Sequence, residues 1–290
     1  MRTLVVLDAP SNLGLRPPAP GTVPGCYKLA GALREQRIVQ RLGALEGGVV
    51  VPPRYDRGEW QPGDGVFNAA AIARYTRTLA DRIEGHVRAG EFAVVLGAAL
   101  ALRRLGRYGL AAVDGSADFR HVGNSDHVGA AGGEELAIAT GRGQADLSDL
   151  EGLRPYLQDE DVRLFGMRDG DEDRAELAAL KIPNVTVGQL REWGAAELAR
   201  AAVESLETPA LDGYWVHLDA DVLDPSVMPA VDSPDDGGLM PDELAQLLRT
   251  LVSSPRCVGL NVTIYDPDLD PDGTAGALLA DLVVGALAPA

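Results

Sequence analysis

The sequence predicts an α/β domain in which a mostly parallel sheet carries helices on both faces. Two observations predict it. Short runs rich in Val, Leu and Ile alternate with segments of helical periodicity, the order expected of a parallel sheet. Three of the strand-like runs finish in aspartate, and the C-terminal ends of parallel strands share one edge. With 290 residues and a hydrophobic fraction of 46%, the chain can fill the core of one such domain. No internal repeat or long linker divides it, so residues 1–290 are read as a single domain.

The first strand is TLVVLDA, a short apolar run that ends on Asp8. A Pro- and Gly-rich loop, SNLGLRPPAPGTVPG, follows it, then a helix from Leu29 to Gln36. GVVVPP is a strand stopped by its prolines. The segment from Asn68 to Gly90 has helical periodicity and closes on Gly. FAVVLGA is a strand, ALALRRLG a short helix and YGLAAVD the next strand. EELAIATG is a helix closed by Gly141, VRLFGMRD a strand and AELAALKI a helix. VGQLREWGAAELARAAVESL is one long helix. YWVHLDAD is a strand, PDELAQLLRTLV a helix with Pro at its start, CVGLNVTIYDP a strand and TAGALLADLVVGAL the last helix. The loops over Pro17 to Pro24 and Pro225 to Gly238 are long and irregular, as loops that build a site at strand ends are.

A formal net charge of −17 argues against nucleic acid, whose phosphates need a basic partner. No apolar run approaches the roughly 18 residues of a membrane span. Asp8 arrives too early for the apolar region of a signal peptide, so a cytoplasmic protein is expected. Cys26 and Cys257 allow one disulfide, but two free thiols in a reducing compartment are the expected state.

The chemistry gathers at the acidic strand ends. YGLAAVD ends at Asp114, with Asp118 four residues on, and YWVHLDAD ends at Asp219 and Asp221. VRLFGMRDGD ends at Asp169 and Asp171. Carboxylates brought together repel unless a cation or a proton joins them, and a hard divalent cation is the simplest answer. Any one aspartate has an ordinary alternative as a turn or cap residue, and Asp224 before Pro225 and Asp242 in PDEL are read that way. The joint pattern of DGSAD and DAD at two strand ends favours a metal site or its remnant.

HLDADVLDPSVMPAVDSPDDGGL resembles the ureohydrolase (arginase/agmatinase/formiminoglutamase) signature S-x-D-x-D-x-x-D-P-x-x-x-P. VDGSADF resembles that family's D-A-H-x-D, VVLGAALAL its G-G-D-H-S, FGMRDGD its G-x-R-D-x-D and VGLNVTIYDP its last strand, G-L-D-x-x-E-x-N-P. The resemblance implies an arginase-like three-layer α/β/α fold with a dimanganese site at the strand ends. It maps the four metal-binding aspartates onto Asp114, Asp118, Asp219 and Asp221, and the two histidine ligands onto Leu100 and Ser116. The expected cofactor is therefore Mn, or another divalent cation such as Mg, with one ion or none in place of two.

Two further departures bear on the chemistry. The family's guanidinium-binding acid falls on Ile264, so plain arginase or agmatinase activity is not expected. Its proton-shuttle histidine falls on Gly132, leaving His127 a few residues upstream as the candidate shuttle, with Asp118 as its catalytic partner. His121 is the weaker candidate in that loop, and His86 is structural. Asp171 matches a carboxylate that receives a substrate amino group. His217, on the same strand side as Asp219, is expected at the substrate or in supporting hydrogen bonds rather than as a ligand.

The function implied is a hydrolase acting on a non-peptide C–N bond of an amidine-like, guanidine-like or related small molecule. Two alternatives stay open: metal-independent acid–base chemistry, such as a cyclase, on the same scaffold, and an inactive binding or assembly subunit. Expected partners are a small-molecule substrate and further copies of the chain in a homo-oligomer.

Overall fold

The computed structural model describes residues 2–288. Eight strands form one sheet: β1 (Leu4–Asp8), β2 (Leu45–Val49), β3 (Phe92–Leu96), β4 (Tyr108–Val113), β5 (Val162–Met167), β6 (Asn184–Thr186), β7 (Gly213–Asp219) and β8 (Cys257–Thr263). Their order is β2-β1-β3-β8-β7-β4-β5-β6, and every pairing is parallel. The sheet is thus wholly parallel among the described residues, with helices on both faces.

The two faces follow from alternation along the strands. In β7 all seven residues are buried. Tyr214, Val216 and Leu218 join a core built with helices Leu29–Glu35, Val187–Trp193, Ala195–Leu206, Pro241–Leu251 and Thr274–Leu287. Trp215 points the other way, into a core built with helices Ala69–Arg88 and Ala99–Leu105. His217 and Asp219 share that second side by the same period of two.

The topology places the site. β8 and β7 lie between β3 and β4, so strands adjacent in sequence are separated in space. The C-terminal ends of β3, β8, β7 and β4 then stand side by side near the middle of the sheet, where a parallel fold opens a crevice.

Four details depart from the expected elements. β2 begins at Leu45 and ends at Val49, whereas GVVVPP placed it over residues 48–53. It is an edge strand with one buried residue in five; just past its end Val50 is buried in the core, while Val49 and Val51 on either side are exposed. The long helix over residues 187–206 is two helices broken at Gly194, whose φ of 89° no continuing helix permits. The three-residue edge strand β6 and the helix Ile38–Leu42 are too short for periodicity to reveal. Cys26 and Cys257 are both buried free thiols. No helix among the described residues is long and apolar enough to cross a membrane.

Candidate active site at the strand ends

The DAD and DGSAD segments converge. Asp219 is the last residue of β7, and Asp114 directly follows β4, its paired neighbour. After Asp219 the chain turns in a short 3-10 helix, Ala220–Val222, because the Asp219 Oδ1 accepts the Asp221 amide at 2.9 Å. The Asp221 Oδ1 reaches back to accept the Gly115 amide at 3.1 Å. The Asp114 Oδ1 accepts the Ser116 amide at 2.9 Å, and Ser116 Oγ donates to Asp118 at 2.7 Å. Asp118 has φ of 45°, an unusual conformation for a residue with a side chain. The four acids are therefore held by local turns and by one another's backbone.

Their charges do not sit comfortably. Burial, then the charges of Asp114, Glu135 and Asp221, hold Asp118 well above the usual carboxylate range. Burial, then Asp221 and Asp114, do the same for Asp219. Asp221 is pushed up to about 7 by burial and by Asp114. Such a cluster attracts a cation or keeps protons.

Arg168 does not relieve it. The side chain is buried, yet its guanidinium donates to backbone carbonyls, at 2.9 Å to Asp221 and 2.7 Å to Asp235. It fastens the end of β5 to the loop after β7.

A cavity of about 340 Å³ opens onto the cluster. Asp114, Asp118, Glu135, His217, Asn261 and Thr263 supply its polar wall. Ile72, Tyr75, Leu79, Leu100 and Trp215 supply much of the remaining, mainly apolar lining. Glu135 begins helix Glu135–Ala139 and lines this recess with an exposed side chain. Its carboxyl is pushed up by loss of hydration, with His217 pulling it down and Asp114 adding to the rise.

The named residues divide as follows. Asp114, Asp118, Asp219 and Asp221 come together, and His217 joins them, with Nε2 3.7 Å from the Asp114 Oδ2. Asp114, His217 and Asp219 are all buried, and one donor atom of each lies within 4.8 Å of the others. Asp171 stands beside the cluster, but its oxygens accept the Ala117 and Asp173 amides at 3.0 and 2.9 Å. His127 is exposed on its loop and lies outside the cavity lining, so the structure does not bring it to Asp118. His121 pairs with Glu176 at 3.1 Å, and His86 with Glu91 at 2.8 Å. Asp224 serves its turn, accepting the Ser226 and Gly237 amides at 3.0 and 2.9 Å.

Leu100 is buried among apolar side chains and Ile264 lines the cavity wall, so neither position offers a polar group. Ile264 has φ of 68°, strained for a β-branched residue. Three residues of this region escaped the sequence reading. Glu135 carried no signal, because it reaches the site across the cavity from another element. Thr263 donates to Asp219 at 2.9 Å, and Asn261 contacts His217 at 2.8 Å. Period two on β8 puts those two on one face, but only the pairing register shows what they meet.

The comparisons agree with this architecture. A sequence model of the arginase family matches residues 148–288. The arginase of Bacillus caldovelox is 26% identical over 284 residues, covering 93% of either chain. Its solved structure superimposes with a TM-score of 0.88 at 23% identity, over 100% of this chain and 99% of that one. The formimidoylglutamase of Bacillus subtilis superimposes at 0.73 with 17% identity, over 99% and 86%. With the acidic strand ends standing where the family motifs place them, the chain resembles the arginase, or ureohydrolase, family in sequence over residues 148–288 and in fold over its whole described length.

Proposed function

We propose that this protein is a hydrolase of a non-peptide C–N bond in a small amidine-like or related molecule, and that it does not act as a plain arginase. The observation that carries the reading is the convergence of four carboxylates, of which Asp114 and Asp118 line a mainly apolar cavity, in an arginase-like fold. The relatives' names, arginase and formimidoylglutamase, give the reaction class. Ile264 gives the departure, because a guanidinium buried against an isoleucine lacks the acidic partner that would offset its desolvation.

The donor set decides how far the family's metals fit. A pair of ions, each with an imidazole, does not fit, because Leu100 is apolar and buried and the Ser116 hydroxyl is spent on Asp118. The oxygens of Asp114 and Asp219 lie near enough to share one hard cation, with Asp118 and Asp221 beside them. When bound, such a cation would supply positive charge against the cluster and polarise the substrate at the C–N carbon.

The protein's own groups do the rest. The Gly115 and Asp221 amides hold the two inner carboxylates in place. Thr263 keeps the Asp219 Oδ2 oriented at 2.9 Å. The apolar wall receives the uncharged body of the substrate and sheds its water. Glu135 faces the same space and can take an amino or amidino group.

The open cavity beside Ala98, Ala99 and Leu100 speaks against a plugged, inactive copy. Acid–base chemistry without a cation is the second reading, favoured by Asp221 at about 7.

The test is a panel of amidines, formimino compounds, ureido compounds and guanidines, assayed for ammonia, urea or amine release with Mn or Mg present. Turnover of an amidine or formimino compound, little turnover of arginine, and loss of activity in Asp219→Asn are expected. Turnover that survives in chelator would establish the second reading. No hydrolysis of any panel member by the metal-loaded protein would overturn the proposal.

A further inference from the structure

We infer that Trp215 and Asn261 lock His217 into the tautomer carrying its proton on Nε2, so that this histidine offers the cavity a hydrogen-bond donor and not a metal ligand. The inference deepens the reading above by naming the kind of cation the site accepts.

Three residues of β7 pair in register with three of β8: Trp215 with Gly259, His217 with Asn261, and Asp219 with Thr263. By strand alternation the three β7 side chains share one face. Gly259 makes the ladder possible. A Cβ there would stand 2.1 Å from the Trp215 ring, so only glycine lets the indole lie across β8. Trp215 is fully buried, and its Nε1–H donates to the Asn261 Oδ1 at 2.7 Å.

An indole nitrogen can only donate, so it dictates which end of the Asn261 amide carries oxygen. The other end, Nδ2, then faces the His217 Nδ1 at 2.8 Å and donates to it. Nδ1 must supply a lone pair, and a neutral ring with its lone pair on Nδ1 carries its proton on Nε2. That N–H faces Asp114, 3.7 Å away, and the cavity.

A metal bound at Nε2 would need the opposite tautomer, with Nδ1–H directed at an amide NH₂. Rotating the amide to relieve that clash would turn its NH₂ onto the Trp215 donor. Either arrangement leaves two buried donors face to face. His217 is thus removed from the three-residue group that distance alone would make a ligand set. The remaining donors are carboxylate oxygens, which favour Mg or Mn over zinc.

The long-range ¹H–¹⁵N spectrum of the histidine rings tests this, because it separates protonated from lone-pair nitrogens. The chain has four histidines, and His217→Asn identifies the relevant signals. Expected in the native protein at mildly alkaline pH, where the ring is neutral, are a protonated Nε2, a bare Nδ1 and no shift of either on adding zinc alone.

Asn261→Asp provides the converse. A carboxylate there accepts from Nδ1–H, moves the proton off Nε2 and should tighten zinc binding about 10–100-fold, with Nε2 now shifting. Trp215→Phe should leave a mixture of tautomers. A proton on Nδ1 in the native protein, both nitrogens protonated, or a zinc-shifted Nε2 would each overturn the inference. These readouts involve no turnover, so a failed hydrolysis assay leaves the tautomer intact, and an Nδ1 proton leaves the hydrolase reading intact.

Discussion

Gly115 stands between the two acidic strand ends, and its missing side chain sets their separation. A Cβ there would lie 2.8 Å from the Asp221 carbonyl oxygen, 2.9 Å from its Oδ1 and 3.0 Å from the Arg168 Nη1. None of these atoms is free to withdraw, since Gly115 donates to Asp221 and Arg168 is tied to the same loop. Gly115→Ala should therefore cost about 1–3 kcal/mol and weaken Mn or Mg binding, read by urea unfolding and by calorimetric titration. Unchanged cation affinity would show that the Asp114–Asp221 spacing does not matter to the site. The convergence of Asp114, Asp219 and Asp221 was legible as a pattern, because alternate carboxylates at the end of an apolar run appear within a few residues of sequence. Glu135 and Thr263 were not legible, since each reaches the cluster from an element distant along the chain.

At the scale of elements, the last helix shows how a single carboxylate anchors one layer. Asp270 accepts the Ala275 and Gly276 amides at 3.2 and 2.9 Å, at the start of helix Thr274–Leu287, and the Tyr265 hydroxyl at 2.8 Å. Burial opposes its charge, but the Gly276 amide and the Tyr265 hydroxyl prevail and hold it below the usual carboxylate range. A depressed folded pKa means stability that is present above the unfolded value, about 4, and is lost as pH falls through the folded one. Asp270→Asn should then cost about 2 kcal/mol at pH 7, with the gap to the native protein narrowing as the pH falls below about 4. Urea midpoints above and below that pH decide it, and a gap independent of pH would show that the charge contributes nothing. The same scale explains the misread helix over residues 187–206. Its apolar periodicity runs through residue 194, but glycine at φ 89° turns the axis there. A periodic pattern reports which side chains face the core and is blind to a turn between two helices packed on the same sheet.

For the molecule as a whole, the acidic cluster couples cation binding to stability. Three of its carboxyls are held above their ordinary range in the folded chain, so the fold loses free energy there at neutral pH unless a cation joins them. A ligand that binds only the folded state at a hundred times its Kd adds about 2.7 kcal/mol. Mn or Mg should accordingly raise Tm by several degrees, a chain of this size gaining roughly 2–4 °C per kcal/mol. The shift should shrink in Asp219→Asn. An equal shift in both proteins would place the cation elsewhere.

The amino-acid sequence by itself determined the alternation of strands and helices, the acidic ends of β4 and β7 and the family likeness, because all of these are written in short windows of neighbouring residues. Only the tertiary structure decided that β8 and β7 lie between β3 and β4, that Trp215, Asn261 and His217 form one ladder, and that His127 stays outside the cavity. The reason is register. Which donor meets which acceptor depends on the pairing of strands more than forty residues apart, and an alternation read along one strand says nothing about its neighbour.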